Sequence, residues 1–206
     1  MKKLLLFVLL FISAEVTFGQ FAFGVKVGYN ASKLSTNLDT IKSSFNSGFH
    51  IGAFARIGNR LHLQPEFYYT LSGGKFDFSS YSAAKNWTQQ VTVGTLDIPV
   101  LIGYKIIKTE LLSWRVMAGP ELSLVVNSKI KNVTNTGYIT TSDISKVNWY
   151  IQVGTGIDVL FLTLDVRYQI GLNKIIDNFT APTGGPVYPV NSKGNMFVIS
   201  VGFKIL

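Results

Sequence analysis

The stretch Met196–Leu206 reads MFVISVGFKIL and sets Phe197, Ile199, Val201, Phe203 and Ile205 on one face of an extended chain with unbroken period two. A soluble sheet does not tolerate such a strand at its edge, because a long apolar edge with unpaired N–H and C=O groups templates aggregation. Closing the sheet on itself removes the edge, and turning the apolar face into lipid removes the exposure. A strand of this kind demands a closed barrel with an apolar outside.

The other end of the chain sets the compartment. Lys2 and Lys3 form a short positive region, Leu4 to Ile12 an apolar core, and Thr17, Phe18 and Gly19 a small-residue exit. These features predict a cleaved signal peptide over residues 1–19 and a mature domain over 20–206. The apolar run is shorter than the roughly 20 residues a spanning helix needs, and no other segment is apolar and unbroken for that length. A helical membrane protein is not expected.

The chain contains 0 Cys, which removes disulfides, thiolate metal sites and thiol nucleophiles. Its 206 residues show no linker or composition break that would divide it into two domains. The hydrophobic share of 47% is dispersed by alternation instead of gathered in blocks, as a lipid-facing wall requires. Removing Lys2, Lys3 and Glu15 with the signal leaves 17 basic and 10 acidic residues, a charge of +7. That balance suits anionic lipopolysaccharide, and nucleic acid is not a partner expected of an exported chain.

Alternation recurs along the chain in eight segments: Phe21–Ala31, Gly48–Ile57, Leu61–Leu71, Val91–Lys105, Trp114–Leu124, Trp149–Ile157, Leu162–Gly171 and the terminal strand. Short turns near Gly58–Arg60, Ile106–Ser113 and Asp158–Leu160 alternate with long polar loops over Ser32–Ser47, Ser72–Gln90, Asn127–Lys146 and Asn173–Gly194. The fold expected is all-β: an eight-stranded antiparallel up-and-down transmembrane barrel in the outer membrane, with turns toward the periplasm and loops outside. Trp114 and Trp149 would sit in the two interfacial girdles. Pro99 falls inside a strand, where proline usually marks an edge or a bulge. A lipocalin-like barrel has the same periodicity turned inside out. The second face decides against it, because a cavity lined by Lys26, Arg56, Glu66, Asp97, Arg115, Glu121, Asp165, Arg167 and Lys204 would not hold an apolar ligand.

Five segments, LQPEFYYTLSGGK at Leu63–Lys75, LDIPVLIGYK at Leu96–Lys105, VMAGPELSLVV at Val116–Val126, LDVRYQIGLNKI at Leu164–Ile175 and the final SVGFKIL, together resemble the PorT-like outer-membrane β-barrel family over the mature chain. Barrels of that family commonly finish on an aromatic residue, whereas this chain finishes on Leu206 with Phe203 upstream. The resemblance implies a small barrel inserted by the barrel-assembly machinery, and one branch of the family is associated with the type IX secretion and gliding machinery.

An eight-stranded barrel is only wide enough for side chains to fill it. The nine inward charges are therefore read as a structural polar network, partnered by opposite signs on neighbouring strands. His50 and His62, the only histidines, both project inward on one hairpin; a turn centred on Asn59 would set His62 opposite Arg56 and His50 opposite Tyr68. Two histidines beside an arginine make a poor metal site, and no Ser/His/Asp set can be named. No catalytic residue, cofactor or metal is assigned. Lys75, Phe78, Tyr81 and Trp87 mix cations and aromatics in the second loop and are the candidate contact residues for a partner. The functional expectation is a filled, non-enzymatic barrel with a structural or binding role in the envelope, possessing envelope protein partners as part of a larger assembly. The alternatives are a narrow porin-like channel and a lipid-modifying enzyme.

Overall fold

The computed structural model describes residues 21–35, 42–43, 46–77, 88–132, 145–173, 179–180, 187–188 and 193–205. Eight long strands account for most of them: β1 Phe21–Ser35, β2 Asn46–Gly58, β3 Leu61–Asp77, β4 Thr88–Lys108, β5 Leu112–Asn132, β6 Val147–Val159, β7 Leu162–Gly171 and β8 Lys193–Lys204. Each pairs antiparallel with its sequence neighbours, and β8 returns to pair with β1, with Val27 opposite Val201. The sheet has no free edge around its girth. The expected signal segment, residues 1–19, lies outside the described residues.

Burial follows strand parity. Along β1, Phe21, Phe23, Val25, Val27 and Tyr29 are exposed while Lys26 and Asn30 are buried, and β7 and β8 repeat the pattern. Phe49 is 69% exposed on the outside, whereas Arg115 is 0% exposed inside. A soluble barrel would invert both values, so this exterior is built for lipid.

Where strand ends depart from the sequence reading, they do so mostly at the loop end. β3, β4 and β5 reach Asp77, Thr88 and Asn132, because polar side chains do not prevent backbone ladders from continuing above an apolar band. The turn between β6 and β7 is formed by Leu160 and Phe161 rather than by Asp158–Leu160. Leu160 takes a left-handed φ of 53° there, which costs about 1 kcal/mol in a non-glycine residue. The β2–β3 turn is likewise displaced: Gly58, at φ 119°, faces His62, and His50 faces Thr70. His62 is therefore not opposite Arg56, and His50 meets Tyr68 only diagonally, ring edge to face at 4.9 Å.

Pro99 marks neither an edge nor a bulge. It sits buried in β4 opposite Glu121, and the β3–β4 ladder passes from the Pro65–Val100 pair to the Tyr68–Asp97 pair without a change of register. The β4–β5 register shifts instead between Gly94 and Thr95 and between Lys105 and Ile107. The second shift leaves Ile106 unpaired and reverses the parity beyond it, so Ile107 pairs with outward Trp114 and Lys108 with inward Ser113.

Inward glycines lie tight against the strand beside them. At Gly119 an added Cβ would lie 2.1 Å from the Val100 carbonyl oxygen and 2.9 Å from Leu101 Cα, both backbone atoms that cannot swing away. Gly119→Val should therefore sharply reduce the fraction of refolded protein showing heat-modifiable mobility on gels, while Ala118→Val on the exposed face should leave it unchanged.

Candidate functional site: the lumen and its turn-end mouth

The middle of the lumen holds a four-membered ion cluster. Lys26 on β1 donates to Glu66 Oε1 at 2.6 Å and to Asp165 Oδ2 at 2.5 Å. Arg167 on β7 reaches Glu66 Oε2 at 2.6 Å and Asp165 Oδ2 at 3.1 Å. Gln64 donates to Glu66 Oε1 at 2.6 Å, and the Tyr68 hydroxyl donates to Glu66 Oε2. The Lys26 ammonium also lies 4.5 Å from the centre of the Phe54 ring. These charges are fully removed from solvent, so each needs the others.

Toward the turns, Arg115 on β5 pairs with Asp165 and with Asp158, and Arg56 on β2 reaches Asp158 Oδ2 at 2.7 Å. Arg56 Nε also donates to Gln64 Oε1 at 2.7 Å, which links the two clusters. The decisive pairs are not on neighbouring strands: β3 and β7 are diametrically opposed in the strand order, as are β2 and β6. Glu66–Arg167 and Arg56–Asp158 thus span the lumen as cross-braces, a correction to the ladder of adjacent charges expected from the sequence. A barrel this narrow makes the far wall as near as the next strand.

Toward the loops the chemistry changes. Asp97 accepts from Thr70 and Ser123 hydroxyls, each at 2.5 Å, and Glu121 from the amides of Gln152 and Gln169. Among the described residues neither carboxylate has a cation within 4 Å, so these two are held by neutral donors and not by opposite charge.

Of the nine inward charges proposed from sequence, eight are buried; Lys204 sits at the turn-end mouth, 3.9 Å from Asp158. The sequence reading sets Asp158 in a turn, although the inward series Tyr150, Gln152, Gly154, Gly156 extends to it by parity. Lys105 follows Gly103 in the same way and is also buried. Of the candidate loop contacts, Phe78, Tyr81 and Trp87 lie outside the described residues, and Lys75 is placed only by its backbone, opposite Gln90 in β3–β4. Among the described residues no group of three or more His, Asp or Glu could hold a metal ion.

Closure of the barrel brings together one arrangement that the sequence reading did not name. His50 Nδ1 lies 2.7 Å from Asn30 Oδ1 and its Nε2 lies 3.0 Å from Ser200 Oγ. With Nδ1–H donating to Asn30 Oδ1 and Nε2 at the Ser200 hydroxyl, both ring nitrogens are engaged. The order Ser–His–Asn resembles that of a nucleophile, its base and an orienting group. Ser200 is 1% exposed, however, and the three residues belong to adjacent strands of the packed interior.

A closed β-wall, apolar outside and charged inside, is the architecture of outer-membrane barrels, and the sequence family described as outer membrane protein beta-barrel domain matches residues 13–177. The chain belongs to that family. The barrel is thus an outer-membrane protein. Among solved structures it is similar to OprG from Pseudomonas aeruginosa at a TM-score of 0.54 and 11% identity, over 91% of this chain and 97% of that one. It is also similar to Ail from Yersinia pestis at a TM-score of 0.49 and 10% identity, over 90% of this chain and 99% of that one. At such identities the likeness concerns the fold. Comparison with curated protein sequences gives no match.

The central cluster makes a sharp prediction. Glu66→Gln leaves Lys26 and Arg167 short of a buried partner and should cost about 3–5 kcal/mol. The double change Glu66→Leu with Arg167→Met removes a cross-brace together with its charges and should cost less than the single change. Urea unfolding in detergent micelles, followed by tryptophan fluorescence, compares the two.

Proposed function

We propose that this protein is a closed, non-enzymatic outer-membrane barrel whose lumen is a structural plug and whose work is binding at its ends, as one subunit of an envelope assembly. The observation that supports a plug is the pair of cross-braces, Glu66–Arg167 and Arg56–Asp158, which interrupt the axis at two levels. An ion path would have to break these buried pairs and leave their charges without partners. The turn end, with Phe21 and Lys204, is assigned to the periplasm and the long-strand end to the outside, as short turns and long loops imply. The PorT-like resemblance of the strand segments supports a place beside secretion or gliding components. Outer-membrane lipid and lipopolysaccharide surround the wall, and the barrel-assembly machinery inserts it.

In planar bilayers the purified barrel should give no stable conductance steps, and a reproducible single-channel step would replace the plug by a narrow pore. Pull-down from native outer membranes in mild detergent should recover envelope proteins together with the barrel; a barrel purifying alone would remove the assembly from this reading.

Among the described residues, the Asn30–His50–Ser200 line is the feature that favours an enzyme. We assign it a packing role because Ser200 is 1% exposed and both ring nitrogens of His50 are engaged by neighbouring side chains. A fluorophosphonate probe should leave Ser200 unlabelled in folded protein, and labelling abolished by His50→Gln would establish a serine hydrolase.

A further inference from the structure

A cavity of about 880 Å³ opens at the turn end. Its polar lining includes four cations, Arg56, Lys105, Lys108 and Lys204, against two carboxylates, Asp158 and Glu110. Asp158 is already engaged by Arg115 and Arg56. Among the described residues, no carboxylate lies within 4 Å of Lys105 or Lys108. Arg56 is 2% exposed, and its Nη2 has no hydrogen-bond partner among the described residues, although its other guanidinium nitrogens bond Gln64 and Asp158. A buried guanidinium N–H without an acceptor is costly. An incoming anion would supply one.

Backbone geometry contributes to this surplus of charge. On an unbroken β4, Lys108 would project to the lipid side, since Lys105 projects inward and the interval is odd. The bulge at Ile106 reverses that parity and sets Lys108 beside Ser113 in the mouth, where it donates to Asn59 Oδ1. Around the cations stand Phe21, Leu111, Leu160, Phe161 and Ile205, all half or more exposed. A bare inorganic ion would use the cations and leave this apolar ring idle.

We propose that the turn-end mouth binds an anionic amphiphile, with a phosphate or carboxylate head held by Arg56, Lys105 and Lys108 and its hydrocarbon against Phe21, Leu160 and Phe161. The site is independent of whether the lumen above it is sealed, so it does not depend on the plug. With the turns facing the periplasm, such a ligand would come from the inner leaflet or from the periplasm as a free lipid acid.

The test uses the full mature barrel, isotope-labelled, in neutral maltoside micelles, with amide shifts followed by NMR during titration with hexyl phosphate, inorganic phosphate and hexanol. Hexyl phosphate should give saturable shifts localised to the ends of β4, β5 and β8. Inorganic phosphate should bind more weakly at the same amides, and hexanol should not saturate. Lys105→Gln with Lys108→Gln should weaken hexyl phosphate by about tenfold, since charge-assisted hydrogen bonds are lost. Lys129→Gln, on the exposed loop-end part of β5, should change nothing. Heat-modifiable mobility confirms that each variant is folded. Absence of saturation by hexyl phosphate, or binding unchanged in the double variant, overturns the proposal. Equal affinity for inorganic and hexyl phosphate overturns its amphiphile part, and saturation by hexanol overturns the role of the charge.

Discussion

Everything in this barrel depends on keeping Lys26, Glu66, Asp165 and Arg167 together. Taking four charges out of water is expensive, and their mutual contacts, the Arg115–Asp165 pair and the hydrogen bonds of Gln64, Gln152 and Tyr68 repay it. The cluster therefore acts on the backbone as well as on itself. Slipping β1, β3 or β7 by a single residue would turn a cation or carboxylate outward into lipid and leave its former partners bare. Register is thus specified by the cost of error more than by the strength of any one ion pair.

The lumen is also polarised along its length. Near the loops, Asp97 and Glu121 are held by hydroxyls and amides; in the middle, charges balance; at the turns, cations outnumber carboxylates. A side-chain column of this kind is well suited to plugging the barrel and to presenting different chemistry at its two ends. The proposed turn-end site uses the positive end without drawing on the pairs that hold the middle.

How much of this was legible in the sequence depends on what period two can encode. It encodes the face, and Lys26, Arg56, Glu66, Arg115, Asp165 and Arg167 all lie on the side that alternation assigns. Parity carried further would have supplied Asp158 and Lys105 as well. Alternation does not encode which wall a side chain meets across a narrow lumen, so the Glu66–Arg167 and Arg56–Asp158 braces were out of its reach. It also presumes an unbroken strand, and the bulge at Ile106 breaks that presumption for Lys108. Ser200 reaches His50 only because β8 closes on β1, which joins residues 150 positions apart in the chain.

The strands are unequal in height. β4 and β5 each run for 21 residues and β3 for 17, whereas β6, β7 and β8 have 13, 10 and 12. About 9–11 residues suffice to cross the bilayer when tilted, so β3, β4 and β5 continue as a three-stranded parapet that is taller than the described lengths of β6, β7 and β8. A pull applied at the top of that parapet runs along the strands and loads many backbone hydrogen bonds at once in shear. The membrane-embedded part then serves as the footing of a lever, and β3, β4 and β5 carry the load down to Glu66, Asp97 and Glu121.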